Sequence, residues 1–406
     1  MPNASAADVQ LASRLARNAV DSLPQGGLAE KLWMARTEKR RLRVKLGIDP
    51  TAPDIHLGHA VVLGKLREFQ DEGHLVVLIV GDFTARVGDP SGRSTLRPIL
   101  SEAEIEANAD TFRAQAVSIL DPDPQRLEVR RNSEWLDMAM ADLLALLRET
   151  TVAQLLERDD FAKRFSAHEP ISLLELLYPL LQGYDSVAVH ADVELGGTDQ
   201  KFNLLLGRDI QRAYGQPEQA ILTMPILVGI DGHRKMSKSL GNQIGVTDAP
   251  EEIFGKTMSI PDEAMDEFYR LLLPPPESAE PAEATGPLAP MERKRALARA
   301  LVSWLHSPEE AAAGERHFDR VIVGKEAPEE IPEARFHGEG GVLHLPTLIA
   351  EEFGVSRSEA RRLIDGGGVT LGEEPLGSGE HDVPAERADG QVLKVGRRRF
   401  RRLRAA

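Results

Sequence analysis

Apolar residues along the first half of this chain arrive in two rhythms. The stretches LRVKLGI (42–48) and HLVVLIVGD (74–82) are short β-branched runs of the kind that fill a strand. Between them, from Gly58 to about Asp71, the apolar positions recur at helical spacing. Strand, helix and strand make a βαβ unit, so the chain is expected to form an α/β fold on a Rossmann-like, doubly wound parallel sheet. Further strands are expected at 126–130, near 187–195 and at 220–228, with helices over 102–117, 135–147, 171–184 and 199–214. A sheet of this kind binds ligands beyond the carboxyl ends of its strands, which points to the loops after Ile48, Val80, Arg130 and Leu195.

Beyond a polar loop at 231–242, DGHRKMSKSLGN, the rhythm becomes helical through 251–260 and 265–273. It breaks at PPPESAEPAEATGPLAP (274–290), a composition unable to fill a core. Helices are expected again at 291–306 and 308–320, followed by a polar stretch, 324–341, of linker character. The expected division is a sheet domain over 1–230, a loop and helical domain over 231–323, the linker, and a small α+β unit over 342–406.

Composition narrows this picture. A chain of 406 residues exceeds what one hydrophobic core usually covers, which fits two or three domains. No apolar run approaches the roughly 20 residues of a membrane helix, and MPNASAADVQ lacks the form of an export signal. There is no cysteine, which removes disulfides, thiolate metal sites and cysteine nucleophiles and suits the cytoplasm expected for this chain. The net charge of −15 argues against nucleic acid, yet 394–404 carries seven positive charges and no acid.

The candidate loops carry chemistry. After Asp49-Pro50-Thr51, His56-Leu57-Gly58-His59 opens a helix, and imidazoles at i and i+3 can face one ligand. Backbone amides and the helix dipole favour an anion there, and Gly58 permits close approach. Capping and packing is the commoner explanation of His-x-x-His taken alone, and zinc would require a third ligand that the vicinity does not supply. The second loop holds Thr84 and Asp89; Asp89 can accept from an ammonium, although 89–92 also suits an ordinary turn. Tyr178, Gln182 and Asp185 share one face of an otherwise apolar helix, as a buried network or a specificity pocket. Gly196-Gly197, before Thr198-Asp199-Gln200, permits close approach or simply makes a turn. Neither a Walker loop nor a G-x-G-x-x-G fingerprint occurs, so the histidines and the lysine loop are what remain to hold a nucleotide.

Asp-Pro-Thr leading to His-Leu-Gly-His, with Lys235-Met236-Ser237-Lys238-Ser239 far downstream, resembles the class I aminoacyl-tRNA synthetases. Tyr178-x-x-x-Gln182-Gly183-Tyr184-Asp185, Gly196-Gly197-Thr198-Asp199-Gln200 and Gly88-Asp89-Pro90-Ser91-Gly92 are similar to the tyrosyl-tRNA synthetases, over the chain from about residue 10. The resemblance implies activation of L-tyrosine by ATP, taken with Mg²⁺, to tyrosyl-adenylate, then transfer to the 3′ end of tRNA(Tyr) by a homodimer. It implies phosphate-facing roles for Thr51, His56, His59, Arg93, Arg97, Lys235 and Lys238. Around tyrosine it places Asp49, Thr84, Asp89, Asn132, Tyr178 and Gln182, with Asp185 at the phenol hydroxyl. Around ATP it places Gly47, Gly58, Gly197, Asp199, Gln200 and Lys238, and it implies no protein-bound metal. Many relatives have Tyr at the place of Lys45, so a second partner for the hydroxyl is missing there, and Glu194 stands where others have Gln; a sub-group of bacterial tyrosyl enzymes is similar to this chain at Lys45. Two alternatives stand beside this reading. A tryptophanyl synthetase shares the architecture, but Asp185 suits phenol better than indole. An inactive RNA-binding relative would not need His56, His59, Lys235 and Lys238 intact.

The terminal unit, with Ser356-Arg357-Ser358-Glu359-Ala360-Arg361-Arg362-Leu363-Ile364 and then Gly366-Gly367-Gly368-Val369, is similar to the RNA-binding module of the ribosomal-protein-S-four type. The likeness implies tRNA contacts at Arg357, Arg361, Arg362, Arg397, Arg398 and Arg399, while Phe400 either stacks on a base or anchors the tail to its own domain.

Overall fold

The computed structural model describes residues 4–51, 54–90, 101–273, 289–323, 331–336, 341–372, 374–396 and 399–405. Contacts group them into two units, one of residues 1–249 with 256–307 and one of 250–255 with 308–406. The lysine loop and the helices Met265–Leu272 and Pro290–Leu305 thus belong with the sheet. No helix among the described residues is long and apolar enough to cross a membrane.

The first unit is built on six strands: β1 (Asp21–Leu23), β2 (Arg43–Ile48), β3 (Leu75–Val80), β4 (Leu127–Arg131), β5 (Val193–Gly197) and β6 (Ala220–Met224). Their order is β1-β6-β5-β2-β3-β4, parallel throughout except for β1, which runs antiparallel along the edge of β6. Strands covered on both faces need apolar residues at every position, and Val76 to Val80 are all buried. The chain steps from β2 to β3 and β4 on one side and returns to β5 and β6 on the other. The order therefore reverses between β2 and β5, the place where sheets of this topology hold ligands.

The stretch 187–195, expected as strand, divides instead between two elements. The helix Leu173–Ala188 continues through Val187, and β5 begins only at Val193. Ser172 caps that helix in a box with Glu175, and the apolar spacing of Leu180, Leu181, Tyr184 and Val187 carries it to Ala188. It crosses the helix Lys201–Ala213 at Gly183, where an added Cβ would sit 3.3 Å from the Gly207 Cα. The expected helix 135–147 is broken into Ser133–Leu136 and Met140–Leu147.

In the second unit, β7 (Glu333–Phe336), β8 (Val342–His344), β9 (Val369–Leu371), β10 (Glu374–Pro375), β11 (Asp382–Pro384), β12 (Val392–Val395) and β13 (Arg399–Ala405) form a five-stranded sheet, β10-β9-β12-β13-β7, and a separate β11-β8 pair. The helices Leu345–Phe353 and Arg357–Asp365 close a core around Leu345, Ile349, Ile364, Leu393 and Leu403. Strand β7 lies within the stretch expected as linker: its alternation buries Ala334 and Phe336 and pairs it in parallel with β13. The basic tail is itself that strand. Phe400 is buried on it, beneath the Lys394 ammonium at 5.4 Å from the ring centroid, so it anchors the tail to its own unit.

One pairing in the first sheet is unusual. Lys45 of β2 stands opposite Glu194 of β5, both fully buried, with Nζ and Oε1 2.8 Å apart. Removing one partner of a buried pair strands the other charge, typically at about 3–5 kcal/mol. Lys45→Met is accordingly expected to destabilise the sheet unit by about that amount, and adding Glu194→Gln to recover part of it. Urea midpoints followed by tryptophan fluorescence check this; a Lys45→Met protein as stable as its parent would speak against a charged pair.

Candidate active site

Four loops at the carboxyl ends of the strands meet through side-chain hydrogen bonds. After β2, Asp49 accepts from the Thr84 hydroxyl (2.7 Å) and from the Tyr178 hydroxyl (2.9 Å). Thr84 follows β3, and Tyr178 comes from the helix Leu173–Ala188. Only glycine fits at 81, because an added Cβ would lie 2.1 Å from Asp49 Oδ1. After β4, Asn132 is fully buried, accepts from the Phe83 amide (2.9 Å) and donates to Thr84 Oγ1 (2.9 Å). Asp82 takes the Ser133 amide and hydroxyl at 2.9 and 2.6 Å, joining the loops after β3 and β4.

Asp185 lies at the bottom of this arrangement. Its Oδ1 accepts from Trp135 Nε1 (2.8 Å) and its Oδ2 from Asn132 Nδ2 at a longer 3.4 Å. Burial pushes the carboxyl up to about 7, against Lys45 first and then the Trp135 and Asn132 donors. A second cluster surrounds Asp89, which accepts from Gln200 Nε2 (2.9 Å) and lies 3.4 Å from the Arg158 guanidinium. Arg158 is itself buried, donating to Asn203 (3.2 Å) and pairing with Asp160 (2.8 Å). Asn203 in turn donates to Gln182 Oε1 (2.9 Å) and Gln200 Oε1 (3.0 Å). Burial and the neighbouring Asp89 raise the Asp199 carboxyl above its ordinary range, and Lys235 opposes them. The helix face of Tyr178, Gln182 and Asp185 therefore serves both clusters, Tyr178 and Asp185 in the first and Gln182 in the second.

The histidines stand at the start of the helix Leu57–Asp71, which follows β2. The His56 and His59 rings stack at 3.9 Å between centroids, and Gly58 leaves room for them, since a Cβ there would meet the His56 ring at 2.9 Å. Burial lowers His56 to about 4 and His59 to about 3, so both rings are neutral at physiological pH. His56 Nδ1 is buried with no hydrogen-bond partner among the described residues. Thr51 closes the turn after β2, its amide donating to the Asp49 carbonyl (2.8 Å).

The lysine loop is rooted beside the histidines. Leu57 N donates to Ile244 O (2.9 Å), and Val246 N to Ile55 O (3.0 Å). Buried Asn242 fastens the loop from within, donating to Asp231 (3.0 Å) and the Lys235 carbonyl (3.1 Å) and accepting from the Ser237 amide (2.8 Å). Met236 is buried, whereas Lys235 and Lys238 are exposed, with Lys238 paired to Asp54. Gly47, exposed on β2, would present an added Cβ to open space, and Gly197 would bring one within 2.7 Å of Asp199. A cleft of about 870 Å³ meets the site at Thr198 and Asp199 and continues past Arg158, Lys163 and Arg164.

Arg93, Arg97, Arg397 and Arg398 lie outside the described residues. In the second unit Arg357, Arg361, Arg362 and Arg399 are exposed, while Arg401 and Arg404 pair with Glu352 and Glu333. The sequence reading passed over Trp135, Arg158 and Asn203. Asn203 stands one helical turn beyond Asp199 and Gln200, a spacing that does carry a signal. Trp135 and Arg158 carry none, because tertiary structure alone brings them in.

The chain matches the family model for tRNA synthetases class I (W and Y) over residues 37–321. It is 49% identical over 395 residues to a tyrosine–tRNA ligase of Moorella thermoacetica, across 96% of this chain and 94% of that protein. A tyrosine–tRNA ligase of Thermotoga maritima is also 49% identical over 395 residues, across 96% of each. Among solved structures, the chain is similar to the tyrosyl-tRNA synthetase complexed with L-tyrosine from Archaeoglobus fulgidus, at 25% identity and a TM-score of 0.60, over 76% of this chain and 99% of that one.

The depressed basicity of the histidine pair is directly measurable. Both rings are expected to stay neutral down to about pH 5.5, well below the ordinary imidazole midpoint, in long-range ¹H–¹⁵N spectra of histidine-labelled protein. Protonation of either ring with a midpoint near its ordinary 6.5 would mean that the pair is hydrated rather than buried.

Proposed function

The chain belongs to the class I tRNA synthetases, among the tyrosine–tRNA ligases, and from that premise we propose how its residues divide the reaction. The observation that carries the assignment of roles is Asp185, a buried carboxylate placed beyond the sheet and reached by donors on two sides. L-Tyrosine lies with its phenol hydroxyl at Asp185 and its ammonium near Asp89, Tyr178 and Gln182. Thr84, Asn132 and Asp49 hold the pocket wall. ATP, taken with Mg²⁺, lies over Gly47 and Gly58, with its ribose toward Gly197, Asp199 and Gln200.

The attacking group is the substrate carboxylate, which adds to the α-phosphorus and expels diphosphate, so no protein nucleophile is needed. Rate comes from positioning and from donors aimed at developing charge. Neutral His56 and His59 serve as hydrogen-bond donors rather than cations, beside Thr51. Lys235 and Lys238 neutralise the departing diphosphate, helped by Arg93 and Arg97. Both members of the Lys238–Asp54 pair are well exposed, and pairs of that kind are worth only about 0–1 kcal/mol, so Lys238 is released to a phosphate at little cost. Transfer of tyrosine to tRNA(Tyr) draws on the second unit, where Arg357, Arg361, Arg362 and Arg399, with Arg397 and Arg398, track the phosphate backbone.

Exchange of labelled diphosphate into ATP is expected only with tyrosine present; stimulation by tryptophan instead would overturn the reading. Lys238→Ala is expected to slow that exchange by ~10²–10³ while tyrosine KM stays nearly constant. Loss of rate and of tyrosine binding together would point to a folding defect.

The protein acts as a homodimer on this reading. Met140, Leu144, Val152, Phe165, Leu173 and Leu174 are all exposed, a concentration of apolar side chains between residues 140 and 174 that a partner copy would cover. Sedimentation at micromolar concentration should give a dimer, and Leu173→Asp with Phe165→Asp should yield a folded monomer. A monomeric parent protein would refute the assembly.

A further inference from the structure

The buried pair between β2 and β5 does more than join strands. An ammonium has three donors, and those of Lys45 are all placed: Glu194 Oε1 at 2.8 Å, Ser186 Oγ at 2.8 Å and the Gln182 carbonyl at 3.0 Å. Gln182 and Ser186 bracket Asp185 on one helical turn. Glu194 is fixed in the same way, its Oε2 accepting from the Ser186 hydroxyl (3.0 Å) and from Gln219. The turn that carries Asp185 is thus tied to both strands at the point where their order reverses. On the far side Trp135 occupies Oδ1, and the long contact from Asn132 leaves Oδ2 with capacity for another donor.

We propose that Lys45 and Glu194 form a specificity-determining positioning pair, which holds the Gln182–Ser186 turn and keeps a positive charge behind Asp185 so that Oδ2 stays an ionised acceptor for a phenol hydroxyl. The inference rests on the reading of Asp185 as the group that meets that hydroxyl. A carboxylate accepts a hydroxyl more strongly than a protonated carboxyl does, and a site built around such an acceptor penalises a substrate lacking the hydroxyl. The groups acting on Asp185 are Lys45 from β2, Glu194 from β5, and Trp135 and Asn132 from the segment after β4; Thr84 and Asp49 act through Asn132. Lys45 is the strongest of these against burial, and Glu194 is the weakest and of opposite sign, so removing both charges leaves Asp185 harder to ionise.

The test compares the parent with Lys45→Met/Glu194→Gln and with Asp185→Ala, using tyrosine- and phenylalanine-dependent diphosphate exchange between about pH 6 and 9. In the double variant the acidic limb of kcat/KM for tyrosine should move up by about one unit, and the preference for tyrosine over phenylalanine at neutral pH should fall about tenfold. The loss should fall mainly on tyrosine KM, with ATP KM unmoved. An unshifted limb with the preference kept within about twofold overturns the proposal. Should the double variant fail to fold, Ser186→Ala keeps both charges and removes one tether. It should raise tyrosine KM several-fold, and an unchanged tyrosine KM overturns the proposal equally. If Asp185→Ala retains full preference, the reading of Asp185 itself falls; if Asp185→Ala loses it while the double variant does not, only the role of the pair falls.

Discussion

Strand order reverses between β2 and β5, and the site follows from that constraint. The connections leaving these two neighbours run to opposite sides of the sheet, so no single crossover covers their carboxyl ends. The gap is filled by polar loops that must satisfy one another. Asp49, Thr84, Asn132 and Asp185 come from segments far apart in sequence, and their hydrogen bonds form one chain across the crevice. Buried polar groups without partners are costly, so each loop conformation depends on the others being in place. The network is a structural requirement of these loops.

Electrostatics separates the two ends of this crevice. At Asp185 a carboxylate sits among few compensating charges, with Lys45 the principal one. At the histidine pair, two imidazoles are kept neutral by burial, while Lys235 and Lys238 are exposed on a loop. Fixed dipoles line the rigid wall and full charges ride on the polar loop.

Much of the frame was legible in the chain itself because strands covered on both faces are largely apolar: β2, β3 and β6 each begin within two residues of the expected stretch, as does the edge strand β4, where Leu127 and Val129 alternate with Glu128 and Arg130. The Tyr178–Gln182–Asp185 face was legible for the complementary reason, polar residues at helical spacing within an apolar run. What escaped lacked local signal. Strand β1 has three residues, too few to show alternation, and is held by pairing with β6. Strand β7 hides among prolines and acids until β13 offers it an edge. Trp135 and Arg158 act through partners dozens of residues away, Asp185 and Asp89, which no spacing rule reports.

The bonds at the root of the lysine loop bear on how its charges are used. Asn242 holds Asp231 and the backbone at 235 and 237, and the strand-like contacts at Ile244 and Val246 fasten the following residues to the histidine segment. A short loop clamped at both ends has already lost most of its chain entropy. Its two exposed ammonium groups meet their partners at an effective concentration set by the tether rather than by diffusion. Replacing one anionic partner by another is then an exchange within a single molecule, with an equilibrium set by the relative charge of the competing anions.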